Sequence, residues 1–344
     1  MSVLVTGGAG YIGSNTCVSL LENGFDVIVL DNLSNSKKSA VKYIGQITGK
    51  DFPFYQYDLR DIEKVRSVFE IETIDAVIHL AGYKAVGESV KKPLMYYENN
   101  IMGTLSLLQC MGEHDVKTMI FSSSATVYTG ALGEKPFKAL TEDSPLAVTN
   151  PYGRTKLIIE EILSDLYQSD PEWNIISLRY FNPIGAHESG LLGDDPNGIP
   201  NNLMPYIVRV AAGQLEKLSI FGDDYDTIDG TGVRDYIHIT DLADGHVAAL
   251  KKLKDCRGVF EVYNLGTGKG YSVLDIVNTF GCVNDVKIPY EFAPRREGDV
   301  AVCFADPTKA ERDLGWKATR TLEDMCKDSW HFQQIFSENN HTID

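Results

Sequence analysis

The sequence has no long apolar run, no paired-cysteine motif and little positive charge relative to negative charge. No stretch approaches the roughly 18 consecutive apolar residues of a membrane-spanning helix, so we predict none. The six cysteines include no CxxC pair and the seven histidines lack metal-ligand spacing, so we expect free, mostly buried thiols and no metal site. The net charge of −16 argues against a nucleic-acid partner. The first residues, MSVLVTGG, lack a basic region and a cleavage signal, so we expect a cytoplasmic location.

What the sequence does have is an alternation of short apolar runs and amphipathic segments. In the first half, the apolar runs predict strands, and the amphipathic segments between them predict helices. The predicted strands are 2–6, 27–31, 54–57, 76–80, 118–122 and 174–180, and the predicted helices are 12–23, 37–48, 61–71, 93–114 and 151–168. Strands separated by helices form a parallel sheet that is covered on both faces. We therefore predict an α/β fold built on a Rossmann-type doubly wound parallel sheet.

The composition of the sequence changes after residue 182. Residues 185–202 are rich in Gly, Pro, Asp and Asn and predict a long loop, of the kind that is usually functional. The elements predicted beyond it are helices at 203–213, 240–254, 272–280 and 321–335, and strands at 218–221, 261–265 and 286–292. We expect a Rossmann domain over residues 1–182 and a smaller C-terminal α/β lobe over 183–344, with some segments returning to the first domain.

A glycine motif follows the first predicted strand. Gly7, Gly10 and Gly13 form GxxGxxG between a strand and a helix, and Asp31 ends the second strand, 18 residues past Gly13. Glycines permit a tight turn and close approach to a pyrophosphate, which the helix N-terminus attracts. Asp31 can accept hydrogen bonds from a ribose diol and would repel a 2′-phosphate, so the motif favours NAD over NADP. The alternative is a glycine turn that only packs the helix on the strand.

A second motif, PYGRTK, opens the predicted helix at 151–168. Tyr152 and Lys156 are four residues apart and so share one helix face. A phenol has a pKa near 10, and work as a base near pH 7 requires lowering that pKa by about 3 units, which a nearby ammonium and an oxidised nicotinamide favour. The hydroxyls of Ser122, Ser123 and Ser124 follow the fifth strand, where we expect the reacting group to lie. Simple packing is the alternative for the Tyr/Lys pair, and strand capping for the serines.

Short segments spread over nearly the whole chain match those of a known family, in the same order. They are TGGAGYIGS, DNLSNS, LAGYKAVGES, NNIMGT, SSSATVY, PYGRTK, LRYFNPIGAH, IPNNLMPY, DGTGVRDYIHITDLADGH, NLGTGKGYSV and RREGD. On these segments the chain resembles the extended short-chain dehydrogenase/reductase family and, within it, the UDP-hexose 4-epimerases. The resemblance implies an NAD-dependent isomerase of galactose metabolism. It would interconvert UDP-galactose and UDP-glucose through a 4-keto sugar, with transient reduction of tightly bound NAD. It also implies a homodimer built on the helices at 93–114 and 151–168. Only the segment 129–145 is longer and less typical than in the family.

The resemblance assigns roles to individual residues. Tyr152 is the expected catalytic base and acid, Lys156 its pKa-lowering partner and Ser124 the proton relay. The expected cofactor-binding residues are Gly7, Gly10, Tyr11, Ile12, Gly13, Asp31, Asn32, Leu33, Ser34, Asn35, Ser36, Asp58, Leu59, Leu80, Ala81, Gly82, Lys84, Asn99, Ser122, Ser124, Tyr152, Lys156, Tyr180 and Phe181. The expected substrate-binding residues are Lys84, Ser124, Ala125, Thr126, Tyr152, Asn182, Asn202, Leu203, Ser219, Phe221, Arg234, Tyr236, Arg296, Asp299 and Cys303. The residues themselves indicate that Arg234 and the Arg295/Arg296 pair hold a diphosphate, because guanidinium groups suit phosphate oxygens. Solvated surface charge is the alternative for any one of these arginines.

The residue at position 303 bears on specificity. The family has a bulky tyrosine or a small residue there, and Cys303 leaves more room for the sugar, so we expect activity on the N-acetylated UDP-hexoses as well. Three other functions are weighed against the epimerase. A 4,6-dehydratase is disfavoured because Ser124-Ala125-Thr126 lacks the carboxylate of the dehydratase Thr-Asp-Glu pattern. An alcohol or hydroxysteroid dehydrogenase would not need the diphosphate arginines, and a non-catalytic NAD-binding regulator would not need Ser124, Tyr152 and Lys156.

Overall fold

The computed structural model describes residues 1–128, 137–195, 200, 202–254, 256–296 and 299–341. The segment 129–145 and the loop 185–202 of the sequence analysis therefore lie partly outside the described residues. Within those ranges, no helix is long and apolar enough to cross a membrane. The same ranges contain no group of three or more His, Cys, Asp or Glu side chains that could hold a metal ion.

The strands, in chain order, form one large and two small sheets. They are β1 (Ser2–Thr6), β2 (Asp26–Leu30), β3 (Phe54–Tyr55), β4 (Ala76–His79), β5 (Thr118–Ser124), β6 (Asn174–Tyr180), β7 (Asn182–Ile184), β8 (Leu218–Phe221), β9 (Val233–His238), β10 (Val259–Leu265), β11 (Gly270–Ser272), β12 (Tyr290–Ala293) and β13 (Val302–Cys303). The large sheet has seven strands in the order β10-β6-β5-β4-β1-β2-β3. All of its pairs are parallel, which confirms the predicted doubly wound sheet.

Helices cover both faces of this sheet. The helices of the described residues, in chain order, are α1 (Tyr11–Glu22), α2 (Lys38–Thr48), α3 (Ile62–Ile71), α4 (Val86–Lys91), α5 (Pro93–Tyr97), α6 (Gly103–Glu113), α7 (Pro151–Ser169), α8 (Leu203–Ala211), α9 (Ile239–Lys254), α10 (Val273–Asn284), α11 (Thr308–Leu314) and α12 (Leu322–His341). One core cluster joins the sheet to α1, α2 and α9, and a second joins its opposite face to α3, α6 and α7. The central strands are buried on both faces and are therefore largely apolar, rather than alternating.

The order of strands places the loop after β1 beside the loop after β4, at the carboxyl ends of the strands of the large sheet. The chain progresses in one direction from β1 through β2 to β3, and in the other from β4 through β5 to β6. Open parallel sheets bind ligands in the crevice where the order reverses, beyond the carboxyl ends of the strands. The glycine motif after β1 and the segment after β4 both lie at this point.

The second half of the chain builds the smaller sheets but also extends the large one. Strand β9 pairs with β11, β13 and β7, and β12 pairs with β8. A third core cluster packs these strands against α8, α10 and α12. Strand β10, however, pairs with β6 at the edge of the large sheet.

The structure differs from the sequence-based elements at several points. The continuous helix predicted over 93–114 is α5, a π-helical turn at Glu98–Met102 and α6. Pro93 starts α5 because it lacks the N–H that a helix interior needs.

Strand β9 and helix α11 were not predicted. Charged Arg234 and Asp235 hide the apolar pattern of β9, although Asp235 is buried and its carboxylate accepts N–H groups of Thr267, Gly268 and Ala305. Three of the six cysteines are buried, fewer than expected, and Cys282 is exposed.

Candidate functional site

The glycine motif forms a turn that has no room for side chains. A Cβ placed on Gly7, whose φ is +72°, would lie 2.7 Å from the main-chain nitrogen of Ala81. A Cβ on Gly13 would lie 2.1 Å from the carbonyl oxygen of Gly7. Gly10 caps α1 and has no side chain to occupy its N-terminus. The first N–H groups of α1 have no partner within the helix and carry its positive dipole end, so this turn can hold an anion.

Asp31 is fixed beside that turn. Its carboxylate is 7% exposed. Oδ2 accepts the N–H of Ala9 at 3.0 Å, and Oδ1 accepts the N–H of Leu33 at 2.8 Å and the hydroxyl of Ser36 at 2.8 Å. These donors fix the orientation of the carboxylate while leaving lone pairs open to further donors. A buried carboxylate at this place accepts a ribose diol and repels a phosphate.

Asp58 lies beside Asn32, the residue that follows Asp31. A hydrogen bond from Arg60 holds the pKa of Asp58 well below its usual range. Asn32 also donates to Asp58, over 3.0 Å. The carboxylate therefore stays charged and its orientation is fixed from two sides.

A single cleft gathers most of the residues expected to bind a cofactor. Those that line it are Gly7, Gly10, Tyr11, Ile12, Gly13, Asp31, Asn32, Ser34, Asn35, Ser36, Asp58, Leu59, Leu80, Ala81, Gly82, Lys84 and Asn99. The expected residues outside this lining are Leu33, Ser122, Ser124, Tyr152, Lys156, Tyr180 and Phe181. Leu33, with a φ of 57°, turns the chain beside Asp31, and the other six lie at the ends of β5 and β6 and on α7.

The far wall of the cleft was not predicted as part of the site. It consists of residues 190–195 and of Phe332, Ile335 and Phe336 on α12. Asp194 pairs with Lys84 at 3.8 Å and Asp195 pairs with Lys37, so both acidic residues reach across the cleft. The Gly- and Asp-rich composition of 185–202 was the available signal for the loop. No sequence pattern pointed to α12.

Lys156 is buried at the end of β5. Asn150 caps α7 by accepting the N–H of Gly153 at 2.9 Å, and this start sets the helix face that carries Lys156. Its ammonium donates to the carbonyl oxygen of Ser122 at 2.6 Å and lies 4.9 Å from the ring centroid of Phe121. Burial lowers the pKa of Lys156 to about 8, and the charge of Glu160 opposes that change.

Tyr152 lies one helical turn before Lys156 and is hydrogen-bonded to Ser124. Burial raises the pKa of Tyr152 above its ordinary 10.0, and the hydrogen bond with Ser124 lowers it only in part. The sequence analysis expects a lowered pKa for Tyr152. The pair of Tyr152 and Lys156 does not produce it alone. The Lys156 ammonium is bound to Ser122, so stabilising the phenolate requires a further positive charge beside the phenol.

One of the three serines of β5, Ser123, turns away from the other two. Successive residues of a strand point to opposite faces of the sheet. Ser123 donates to Glu160 on α7, and Ser122 bonds to Tyr180 on the other face. Ser124, the last residue of β5, is the one that meets Tyr152, and its hydroxyl oxygen also accepts the N–H of Thr126 at 3.2 Å.

A second cluster gathers the residues expected to hold a substrate. Asp299 accepts from Arg296 at 3.0 Å and lies 3.9 Å from Arg234. The Arg296 guanidinium lies 4.9 Å from the ring centroid of Phe221. Cys303 pairs with Arg234 across β13 and β9. These contacts bring an aromatic face and two guanidinium groups to one place.

Arg295 does not join this cluster. Its guanidinium donates to Asp224 at 2.6 Å and lies 4.1 Å from the ring centroid of Tyr225. The two adjacent arginines thus have different surroundings.

The remaining expected substrate residues lie on several elements. Asn202 caps α8 and donates to Asp194 at 3.4 Å, and Leu203 begins that helix. Phe181 and Cys303 share an apolar cluster with Ala125. The other positions are Thr126 in the turn after β5, Asn182 on β7, Ser219 on β8 and Tyr236 on β9.

Comparison with known proteins relates this geometry to a family. Residues 4–329 match a family model described as GDP-mannose 4,6 dehydratase. The chain is 60% identical over 333 residues to UDP-glucose 4-epimerase from Bacillus subtilis, covering 97% of each chain. A structure of UDP-glucose-4-epimerase from Stenotrophomonas maltophila with bound NAD and formylated UDP-arabinopyranose has a TM-score of 0.94 at 49% identity, covering 98% of this chain and 99% of that one. A structure of UDP-glucose 4-epimerase from Bifidobacterium longum with NAD+ and UDP has a TM-score of 0.93 at 54% identity, covering 97% and 98%.

Proposed function

The chain belongs to the UDP-glucose 4-epimerase family, and from that premise we propose that it interconverts UDP-galactose and UDP-glucose with retained NAD. The observation that carries the proposal is the placement of Tyr152, Ser124 and Lys156 at the end of β5, where Tyr152 is hydrogen-bonded to Ser124 and Lys156 donates to the main chain of β5. The chain also contains the glycine turn of a dinucleotide site and a cluster of two arginines.

The residues present fit NAD. A Cβ at Gly7 or Gly13 would fill the turn at the N-terminus of α1, so the backbone is open there to a pyrophosphate. Asp31 offers a buried carboxylate to the adenosine ribose. Bound NAD supplies a hydride acceptor and a positive charge, and the protein supplies placement and electrostatics.

In the proposed reaction Tyr152 removes the proton of the sugar 4-hydroxyl, with Ser124 holding that hydroxyl. Oxidation at C4 gives a 4-keto sugar, and return of hydride to the opposite face inverts C4. Lys156 fixes a positive charge one turn from the phenol. Because burial alone raises the pKa of Tyr152, the phenolate forms only when the cofactor's charge is also present.

The arginine cluster supports a nucleoside diphosphate as the anchored part of the substrate. Arg234 and Arg296 present guanidinium groups suited to phosphate oxygens, and Phe221 presents a ring face to a base. The dehydratase named by the matching family model would need a carboxylate after β5. The turn there is Ser124, Ala125 and Thr126, which favours epimerisation.

The test is incubation of the purified protein with UDP-galactose and no added cofactor, followed by NMR of the sugar. We expect UDP-glucose to appear until an equilibrium mixture forms, and Tyr152→Phe to abolish conversion without releasing NAD. A 6-deoxy-4-keto product would instead indicate a dehydratase. No conversion by the wild-type protein, even with NAD supplied, would refute the proposal.

Cys303 favours N-acetylated UDP-hexoses as additional substrates. The side chain is small, and burial raises the pKa of its thiol to about 11, so it is neutral at pH 7. It packs with Phe181 and Ala125, next to the place of reaction. Cys303→Tyr should suppress turnover of UDP-N-acetylglucosamine and spare UDP-glucose, and Cys282→Tyr, at an exposed cysteine, is the matched control. Equal loss with both sugars would contradict this specificity.

We propose a homodimer that uses the face of α4 to α6. Exposed apolar side chains on this face are Val90 (59%), Leu94 (80%), Met102 (54%) and Leu105 (46%). A second copy of the chain would remove these groups from water. Light scattering of the wild-type protein should give twice the chain mass, and Leu94→Glu should shift it toward the monomer.

Six unpaired thiols are consistent with the reducing cytoplasm as the location.

We also propose that residues 1–182 chiefly hold the cofactor and residues 183–344 chiefly the UDP-sugar. The glycine turn and Asp31 lie in the first part, and the arginine cluster in the second. Segments of the second part return to the first, since β10 extends the large sheet and α12 lines the cleft.

A further inference from the structure

A third functional side chain follows Tyr152 and Lys156 on the same face of α7. Glu160 is four residues after Lys156 and eight after Tyr152, so the phenol, the ammonium and a carboxylate lie in a row along the helix. Glu160 is 6% exposed and Lys156 is 5% exposed. A carboxylate this deep costs free energy unless it is paired and hydrogen-bonded, so its presence needs an explanation.

The carboxylate of Glu160 is held from two strands. Ser123 on β5 donates to Oε1, and Arg179 on β6 donates to Oε1 at 3.0 Å and to Oε2 at 2.6 Å. The remaining nitrogen of Arg179 donates to the hydroxyl of Tyr128 and to the carbonyl oxygen of Glu142, each at 3.0 Å. Every contact orients Glu160 without involving the cofactor cleft or the arginine cluster.

We propose that Glu160 is a positioning residue of the epimerisation, which keeps Lys156 charged by holding a buried carboxylate one helical turn behind it. The inference rests on the proposed function, because it concerns the base Tyr152. The role of Glu160 follows from the buried position of Lys156. An ammonium placed beside an incipient phenolate is useful only while it keeps its proton, and burial works against that.

Of the described titratable groups around this row, none but Glu160 raises the pKa of Lys156 through its charge. The others are His79 on β4, Tyr96 on α5, Tyr152 on α7, Arg179 and Tyr180 on β6, and Tyr128 and Glu142 beyond β5. Burial, and then the charge of Lys156, lowers the pKa of His79 to about 3, so His79 is neutral. Burial raises the pKa of each of the four phenols, so these are neutral too. Among the described residues, Glu160 is the group whose charge raises the pKa of Lys156.

The test is the pH dependence of kcat/KM for UDP-galactose, measured with the protein as purified with its cofactor. The alkaline limb of the profile reports loss of the Lys156 proton. In Glu160→Gln we expect this limb to move down by about one pH unit, which is about a tenfold loss of kcat/KM on the alkaline side. Glu160→Asp keeps the charge and should restore the limb.

Two further variants separate the electrostatic role from a structural one. The double variant Glu160→Gln with Arg179→Met replaces the ion pair by neutral groups, so no unpaired guanidinium remains. The limb should move in the same direction as in Glu160→Gln but by less, because the positive charge of Arg179, which opposes that of Glu160, is also removed. Tyr128→Phe removes a contact of Arg179 but leaves the carboxylate charged. It should lower the melting temperature and leave the limb in place.

The outcomes are distinct. If the wild-type protein does not epimerise, the proposed function fails. If it does, and the folded Glu160→Gln variant has the wild-type limb with only a lower melting temperature, then Glu160 has a structural role alone and this inference is overturned. A shifted limb in Tyr128→Phe would also overturn it, since the shift would then follow from any damage to the network.

Discussion

The Lys156 ammonium is bound to the carbonyl oxygen of Ser122 over 2.6 Å. This contact ties the position of the charge to the main chain of β5, which is paired on both sides in the large sheet. The lysine is therefore held by the most rigid part of the fold. Its function needs no close contact with the phenol, because a buried charge one helical turn away acts through a medium of low dielectric.

Lys156→Met should separate the charge of this side chain from its volume. We expect kcat/KM for UDP-galactose to fall by about 10² to 10³, a loss typical of disturbed general-base catalysis, because the phenol loses its fixed positive neighbour. The melting temperature should stay the same or rise, because a buried ammonium is replaced by an apolar group. Steady-state kinetics and calorimetry measure the two effects. Activity within threefold of the wild type would show that the charge is dispensable.

Asp31→Asn should weaken retention of NAD. The amide of asparagine has one oxygen in place of two, and its NH₂ group would face the N–H of Ala9 or Leu33, which now donate to the carboxylate. We expect the purified variant to contain much less NAD, measured by chromatography of the nucleotide released on denaturation. Asp26→Asn, at a side chain that is 79% exposed on β2, is the matched control and should keep its NAD. Equal NAD content in both variants would contradict the role of Asp31.

The elements that pattern predicts well are those with a periodic apolar face. The strands of the large sheet and helix α7 were predicted to within a few residues because burial on both sides leaves continuous apolar runs. Strand β9 was missed because its charged residues are satisfied by backbone N–H groups from distant segments, which no local pattern records. For the same reason the sequence could not show that Ser123 faces Glu160, or that α12 closes the cofactor cleft. The glycine turn was predictable because its chemistry is local to a few adjacent residues.

Arg296 and Arg295 offer a matched pair of substitutions. Arg296→Lys keeps a positive charge but removes the planar fork that meets Asp299 and the Phe221 ring. We expect KM for UDP-galactose to rise by about tenfold with a small change in kcat, because ground-state binding is affected. Arg295→Lys, whose partners are Asp224 and Tyr225, should leave KM within twofold. A larger effect at Arg295 would mean that the substrate lies on the other side of β12.

His246 should make the protein sensitive to acid. Burial lowers its pKa to about 4, whereas an unfolded chain has the ordinary value of 6.5. Between these pH values the unfolded chain binds a proton that the folded chain does not, so the free energy of unfolding falls as pH falls through that window. The full effect is about 3 kcal/mol, reached near pH 4.

Substitution of His246 tests this assignment. His246 accepts from Tyr180 and donates to the carbonyl oxygen of Leu242 at 2.8 Å, and glutamine can make both contacts. Urea unfolding at about pH 7.5 and about pH 5 should give a smaller difference in His246→Gln than in the wild type, by about 2 kcal/mol. His331→Gln, at an exposed position, should keep the wild-type difference. An unchanged difference in His246→Gln would assign the acid sensitivity to other groups.

The cofactor cleft is closed by residues from opposite ends of the polypeptide. The glycine turn lies at residues 7–13, and Phe332 and Phe336 on α12 form part of the facing wall. During synthesis the turn emerges from the ribosome long before that wall exists. A nascent chain that stops short of α12 has the glycine turn but lacks the aromatic side chains that face it. The dinucleotide site therefore becomes complete only with the last helix of the fold.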